Sequence, residues 1–267
     1  MTAGRSLRAL PTLLRVGFAE AVAYRAEFLV WILSYTMPLV MLALWSAVAR
    51  DAPVGRWDQA DFTAYYLATL VVRLLTGAWV VWELTFEIRQ GTLAYRLLRP
   101  IHPLLAYAAE NLAAVPLRGL LALPVAGVAL WLTGGARVTH DPLLLVLVPL
   151  TVLGAWLITF LAMAIVGTLA FRLDSATSLF EIWMGLFGVL SGYLVPLELF
   201  PPWVAAVASA LPFRSMLGFP VELIIGHLDR SRALLELAVQ WGWIAGLFLG
   251  VRAAWRAGLR HFAAFGG

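Results

Sequence analysis

Hydrophobic and polar positions alternate along this chain in long blocks, not in the short periods of a soluble fold. Apolar stretches of twenty or so residues are separated by shorter polar ones. A helix rising 1.5 Å per residue needs about 20 apolar residues to cross a bilayer core of about 30 Å. The blocks predict six spans: Phe28 to Ala49, Phe62 to Trp82, one within Leu104 to Leu132, Leu143 to Phe171, Leu179 to Val195 and Ala233 to Trp255. Pro116, Arg118 and Pro124 interrupt the third, so its first part is expected to hug the membrane surface. Tyr65 and Tyr66 at one end of the second span, and Trp79 and Trp82 at the other, read as interfacial belts.

Two polar-apolar mixtures flank these spans. In residues 5–25, Leu7, Leu10, Leu14, Phe18 and Ala21 share one helical face, and Arg5, Arg8 and Arg15 point roughly opposite. Such a helix suits the headgroup region. Ala47-Val48-Ala49 mimics a signal-peptide cleavage site, but the apolar run before it exceeds the ~7–15 residues of a signal-peptide core. Between the fifth and sixth spans, Pro196, Pro201, Pro202, Pro212 and Pro220 preclude one continuous helix, while Trp203 to Leu211 is apolar. Two short helices dipping into the outer leaflet fit best. The expected layout is a single all-α membrane domain: an amphipathic N-terminal segment (1–27), a six-helix body (28–255) and a short tail (256–267).

Composition enforces the class. The chain is 62% hydrophobic and 13% charged with a mean hydropathy of +0.88, and no soluble fold of 267 residues hides that much apolar surface. Its 19 basic residues are all Arg. With the N-terminus inside, 11 of them fall on cytoplasmic segments and 6 on outer ones, which predicts cytoplasmic termini and a role in orientation, not nucleic-acid binding. Chemistry is sparse. There is no Cys, and His102, His140, His227 and His261 lack metal-ligand spacing. With no phosphate-binding loop and no nucleophile elbow, the chain itself is not expected to be an enzyme or to hold a metal or cofactor.

Charge concentrates from Trp82 to Pro103. Glu83, Glu87, Arg89, Arg96 and Arg99 fall there; Gly91 breaks the segment and Pro100 closes it. Leu93, Leu97 and Leu98 line one side, which an ordinary solvated loop does not require, so a short amphipathic helix parallel to the membrane is expected. Arg73 and Arg118 lie inside spans, where an unpartnered Arg costs about 2.5–3.5 kcal/mol. Arg73 reads as lining a path for an anionic or amphipathic substrate; Arg118 reads either so or as an inner-side anchor, with Glu110 and Glu181 as candidate partners. Glu198, Arg214 and Glu222 would face water or each other, and with Trp203 they mark an outer gate or a sealing cap. Gly188 and Gly192, and Gly242, Gly246 and Gly250, carry small-residue spacing that suits internal packing over a dimer seam.

Three stretches carry a family resemblance: IRQGTLAYRLLRPIHPLLAYAAENL (Ile88 to Leu112), LSGYLVPLELFPPWVAAVASALPFRSMLGFPVELIIG (Leu190 to Gly226) and YRAEFLVWIL from Tyr24. Together they resemble type-2 ABC transporter permeases across residues 5 to 260, closest to the branch of daunorubicin and viologen exporters. The resemblance implies a six-span permease in the bacterial inner membrane, paired with a second permease chain, the same or homologous. It implies two copies of a separate ATPase that bind ATP and Mg. Glu83, Glu87, Arg89, Gly91, Arg96 and Arg99 would form or flank the coupling helix, with the N-terminal helix beside it. The expected activity is ATP-driven export of a hydrophobic or amphipathic substrate by alternating access. A glycan or glycolipid cargo, or an ion-gradient transporter, is the alternative; the latter would want paired mid-membrane carboxylates.

Overall fold

In a bilayer every backbone N–H and C=O must be paired within the chain, and helices do this locally. The computed structural model describes residues 9–23, 35–133, 135–173 and 176–262, and every regular element among them is helical. Arg5, Leu7, Arg8, the whole YRAEFLVWIL stretch with Arg25, and the front of the expected first span lie outside the described residues.

In chain order the helices are α1 (Leu10–Ala23), α2 (Met37–Val48), α3 (Gln59–Thr76), α4 (Val80–Arg89), α5 (Leu93–Leu97), α6 (Pro103–Ala113), α7 (Val115–Thr133), α8 (Pro142–Thr168) and α9 (Ala176–Leu190). Then follow α10 (Pro202–Ser209), α11 (Pro212–Met216), α12 (Gly218–Ile224) and α13 (Arg230–Leu259). Four units are long and apolar enough to cross a membrane: Gln59–Arg89, Pro103–Thr133, Pro142–Phe171 and Arg230–Leu259. The helices α2 and α9 are shorter apolar elements.

Three of the long units begin at the same end, each with an aspartate cap. Asp58, Asp141 and Asp229 accept from the backbone amides of Asp61, Leu143 and Arg232 respectively. A carboxylate there satisfies orphan donors and complements the positive end of the helix dipole. The loop before α3, the α7–α8 loop and the segment from Ser191 to Asp229 gather at this end, here termed the cap end. The α4–α6 loop lies at the opposite, loop end.

The central helix is α8, packed against α13, α4 and α12, while α3 packs on α7 and α2. One apolar core at the loop end joins Val81, Leu84, Leu93, Tyr107, Trp156, Phe160 and Trp255. A second, at the cap end, joins Trp57, Phe62, Tyr65, Tyr66, Phe213, Met216 and Val221. The N-terminal helix α1 lies across α6. Gly17 makes this approach possible, since a Cβ there would stand 2.9 Å from that of Ala113. The packing face therefore turns on Gly17, and Phe18, expected on the apolar face, is exposed.

Several expected boundaries move. The second span does not end at Trp82 but continues through α4 to Arg89, so the first third of the expected surface loop is its last turns. The separate surface helix is only α5, reached through a turn at Gly91 with φ of 71°. The third unit is helical throughout, with a single turn at Ala114 just before Pro116. Tyr65 and Tyr66 are not an interfacial belt: both are buried and donate to the carbonyls of Gly192 and Leu194 at 2.7 and 2.8 Å. The outer segment folds into three short helices, not two, of which α11 and α12 are almost wholly buried. Pro202 and Pro212 sit in first turns, where a missing N–H costs nothing.

Candidate functional site

At the loop end an interlocked set of side chains fixes the α4–α6 connection. Arg96 of α5 donates through Nε to both oxygens of Glu87 at 2.8 and 2.9 Å, and through a terminal nitrogen to Glu110 at 2.7 Å. The Tyr107 hydroxyl donates to Glu87 at 2.7 Å, and the Arg96 guanidinium lies 4.2 Å from the Tyr107 ring centre. Burial works against the charge on Arg96, but Glu110 and Glu87 outweigh it and hold the proton more firmly than in free arginine. Glu83 accepts from the Trp79 indole at 2.5 Å. Glu87 and Arg96 are thus bracing residues. What the loop presents outward is Phe86, Arg89, Tyr95 (70% exposed), Leu98 (83% exposed) and Arg99. Glu110 partners Arg96 and neither intramembrane arginine.

Midway along the second span the helix breaks. Gly77 leaves helical geometry at φ −59° and ψ 138°, and α4 restarts after Trp79. The freed backbone groups are captured by the third unit. A terminal nitrogen of Arg118 donates to the Gly77 carbonyl, and the Trp79 amide donates to Asn111 Oδ1 at 2.9 Å. The buried Asn111 amide nitrogen in turn donates to the Tyr107 carbonyl at 3.0 Å, and the Arg118 guanidinium lies 4.6 Å from the Trp79 ring centre. Arg118 is therefore neither a surface anchor nor open to a path: it is buried and caps the break. A Cβ at position 77 would come within 2.5 Å of the Tyr35 hydroxyl and 3.1 Å of Arg118, so both side-chain ends would have to give way. Arg73, one turn before the break, is 9% exposed and faces the rings of Phe187, Tyr35 and Tyr193.

At the cap end, Arg214 of α11 pairs with Glu222 of α12 at 2.6 Å and also with Glu236 of α13, all three buried. Gln240, one turn on from Glu236, donates to the carbonyls of Thr151 and Ser215 at 3.0 and 2.9 Å. This stitches the short helices to α8 and α13. Glu198 joins Arg56 at 2.5 Å and accepts from the Trp57 indole at 3.2 Å. Trp203 is exposed. So Arg214 and Glu222 do meet each other, while Glu198 belongs to a separate surface pair.

Among the glycines, Gly192 adopts φ +86° beneath the Tyr65 hydroxyl, and Gly250 meets Ile165. Gly188 has ordinary contact with Leu194, whereas among the described residues nothing lies within 4 Å of a Cβ at Gly242 or Gly246. Glu236, Gln240, Asn111, Tyr107 and Tyr35 escaped sequence reasoning. Gln240 and Asn111 were detectable as single amides in otherwise apolar helices; the contacts of Tyr35 had no signal.

Membrane-length helices, a mid-span break capped by polar side chains and two charged ends define a multi-pass helical membrane protein. The family model of the ABC-2 family transporter proteins matches residues 26–266, and the chain belongs to that family. It is thus a transmembrane permease of ABC transport, a family whose members generally lack their own ATPase site and work with an ABC ATPase partner. No curated protein matches it.

Proposed function

We propose that this chain is the permease subunit of an ATP-driven exporter of a hydrophobic or amphipathic substrate, of the daunorubicin- and viologen-exporter branch. It would work in the bacterial inner membrane as six spans with both termini in the cytoplasm, alongside a second permease chain. Two ATPase subunits would bind ATP and Mg and dock at the loop end. The observation that carries this reading is the braced loop. Glu87, Arg96, Glu110 and Tyr107 fix α5 to the ends of two long units, while Tyr95 and Leu98 face outward between Arg89 and Arg99. A rigid mount with an exposed apolar-cationic tip suits force transfer from a soluble partner. Helix α1, seated on α6, offers a second contact beside it. The break at Gly77 gives the second span a point at which its two halves can tilt during alternating access.

Co-purification with the candidate ATPase and reconstitution into vesicles tests this. Leu98→Asp and Tyr95→Ala are expected to weaken association with the ATPase by tenfold or more at unchanged melting temperature. Glu87→Ala and Arg96→Ala are expected to lower both melting temperature and ATPase stimulation. If no ATPase associates and an ion gradient alone moves solute, the reading is wrong.

A further inference from the structure

This chain treats two buried arginines in opposite ways. Arg214 is 8% exposed and holds two carboxylates, Glu222 and Glu236. Arg73 is equally buried, about midway along the 31-residue unit Gln59–Arg89, and no described carboxylate pairs with it. Its guanidinium carbon instead lies 4.8, 5.3 and 5.4 Å from the ring centres of Phe187, Tyr35 and Tyr193. The buried Nε of Arg73 has no hydrogen-bond partner. Tyr35 stands between Arg73 and the Gly77–Arg118 cap, so a second cation shares its neighbourhood. Ring faces attract a cation but carry no net charge. A planar donor fork with an open Nε, in a low-dielectric position, is matched by an oxyanion bound at two points. Tyr35 and Tyr193 are only half-buried, which leaves the cage reachable from outside.

We infer that Arg73 is the docking point for the anionic headgroup of an amphiphile, a phosphate, sulfate or carboxylate, whose apolar part lies against the Tyr35, Phe187 and Tyr193 rings. The assignment of that anion as cargo rests on the transporter reading; the anion site itself does not. It disfavours a cationic cargo, which would meet a buried positive charge with no counter-ion among the described residues.

The test uses the full chain in neutral detergent, titrated with dodecyl phosphate and, separately, with dodecyltrimethylammonium, with bound copies counted by native mass spectrometry. Wild type is expected to prefer the phosphate at least tenfold. Arg73→Gln should abolish that preference, and Arg56→Gln at the cap-end surface should leave it intact. Should Arg73→Gln not fold, Tyr193→Glu supplies the missing carboxylate within the chain and is expected to keep the fold while eliminating phosphate binding. Equal binding of both amphiphiles by wild type, or an undiminished preference in Tyr193→Glu, overturns the inference. In vesicles with the ATPase, stimulation by dodecyl phosphate identifies cargo. Binding without stimulation, while Leu98→Asp still uncouples the complex, identifies a resident lipid headgroup. If no ATPase associates but the phosphate preference holds, the transport reading fails and the anion site stands.

Discussion

Single side chains in this protein settle what becomes of backbone groups that a broken helix releases inside a membrane. Gly77 and Trp79 lose their helical partners, and an unpaired buried amide or carbonyl costs about 1–3 kcal/mol. Asn111 and Arg118 prevent that cost, one accepting from the Trp79 amide and the other donating to the Gly77 carbonyl. Asn111→Leu is therefore expected to destabilise by about 1–3 kcal/mol, read as a lower melting temperature in detergent. Arg118→Met removes a costly buried charge together with a needed donor, so its loss should be the smaller of the two despite the bulkier deletion. Equal stability of Asn111→Leu and wild type would show that water reaches the break. Gly77→Ala should also destabilise, because its Cβ displaces the Tyr35 hydroxyl and the Arg118 guanidinium that caps the break.

At the scale of elements, the short helices α11 and α12 lie buried at the cap end because other elements supply their polar partners. Gln240 is central: its one amide group bridges Ser215 of α11 and Thr151 of α8, and its oxygen lies 2.5 Å from where a Cβ of Gly154 would stand. Gln240→Leu takes the donor from the Ser215 carbonyl at the end of α11, while the Thr151 carbonyl keeps its own partner inside α8, so the change should cost about 1–3 kcal/mol for the one group left dry. Faster amide exchange in residues 212–224, with α3 unchanged, is the expected signature; protection unaltered there would refute it. These elements also mark how far the sequence could be read. Block hydropathy located the long units to within a few residues, and prolines announced the interrupted segment. The continuation of the second span to Arg89 was hidden, because Glu83, Glu87 and Arg89 look like loop residues until Trp79 is seen to engage Glu83, and Tyr107 and Arg96 to engage Glu87. Likewise Arg73 and Arg118 stood out as charges in apolar runs, but their opposite roles depend on Tyr35, Asn111 and Phe187, which arrive from other parts of the chain. Long-range pairing of this kind leaves no local period.

The whole molecule closes its cap end with ion pairs between segments that are distant in the chain. Arg56 meets Glu198, Arg137 meets Asp58 at 2.6 Å and Asp61 at 3.2 Å, and Arg230 meets Asp141 at 2.5 Å. Each pair is partly or largely solvated and worth little alone, about 0–1 kcal/mol for exposed pairs before screening by salt, so opening this end requires no large single barrier. Their pH limits are legible. Partial burial opposes ionisation of Glu198, but the neighbouring His227, 3.8 Å away, and the hydrogen-bonded Arg56 with its charge outweigh it and bring the carboxyl down to about 2. The Arg230 hydrogen bond likewise lowers Asp141; at Asp58 slight burial is overcome by helix-start amides and Arg137. Depressed carboxyl values mean that the folded cap binds fewer protons than the opened one, so its stabilisation is complete above the ordinary Glu value of about 4.5 and is lost as pH falls from there towards about 2. A cysteine placed at buried Thr139, whose amide donates to Ile224 across this end, reports it by thiol labelling. Taken relative to an exposed control cysteine at the same pH, which corrects for the loss of thiolate in acid, labelling should stay slow from pH 7 to 5, quicken below 4.5, and quicken severalfold at neutral pH in Arg56→Gln/Arg137→Gln. A cysteine at Ala113 in the loop-end half should respond to neither change. If ATP with the partner ATPase also quickens labelling at Thr139, the ion-paired cap is the closed outer side of the cycle; if acid and the double variant open it while ATP does not, the cap is a permanent seal and substrate leaves elsewhere.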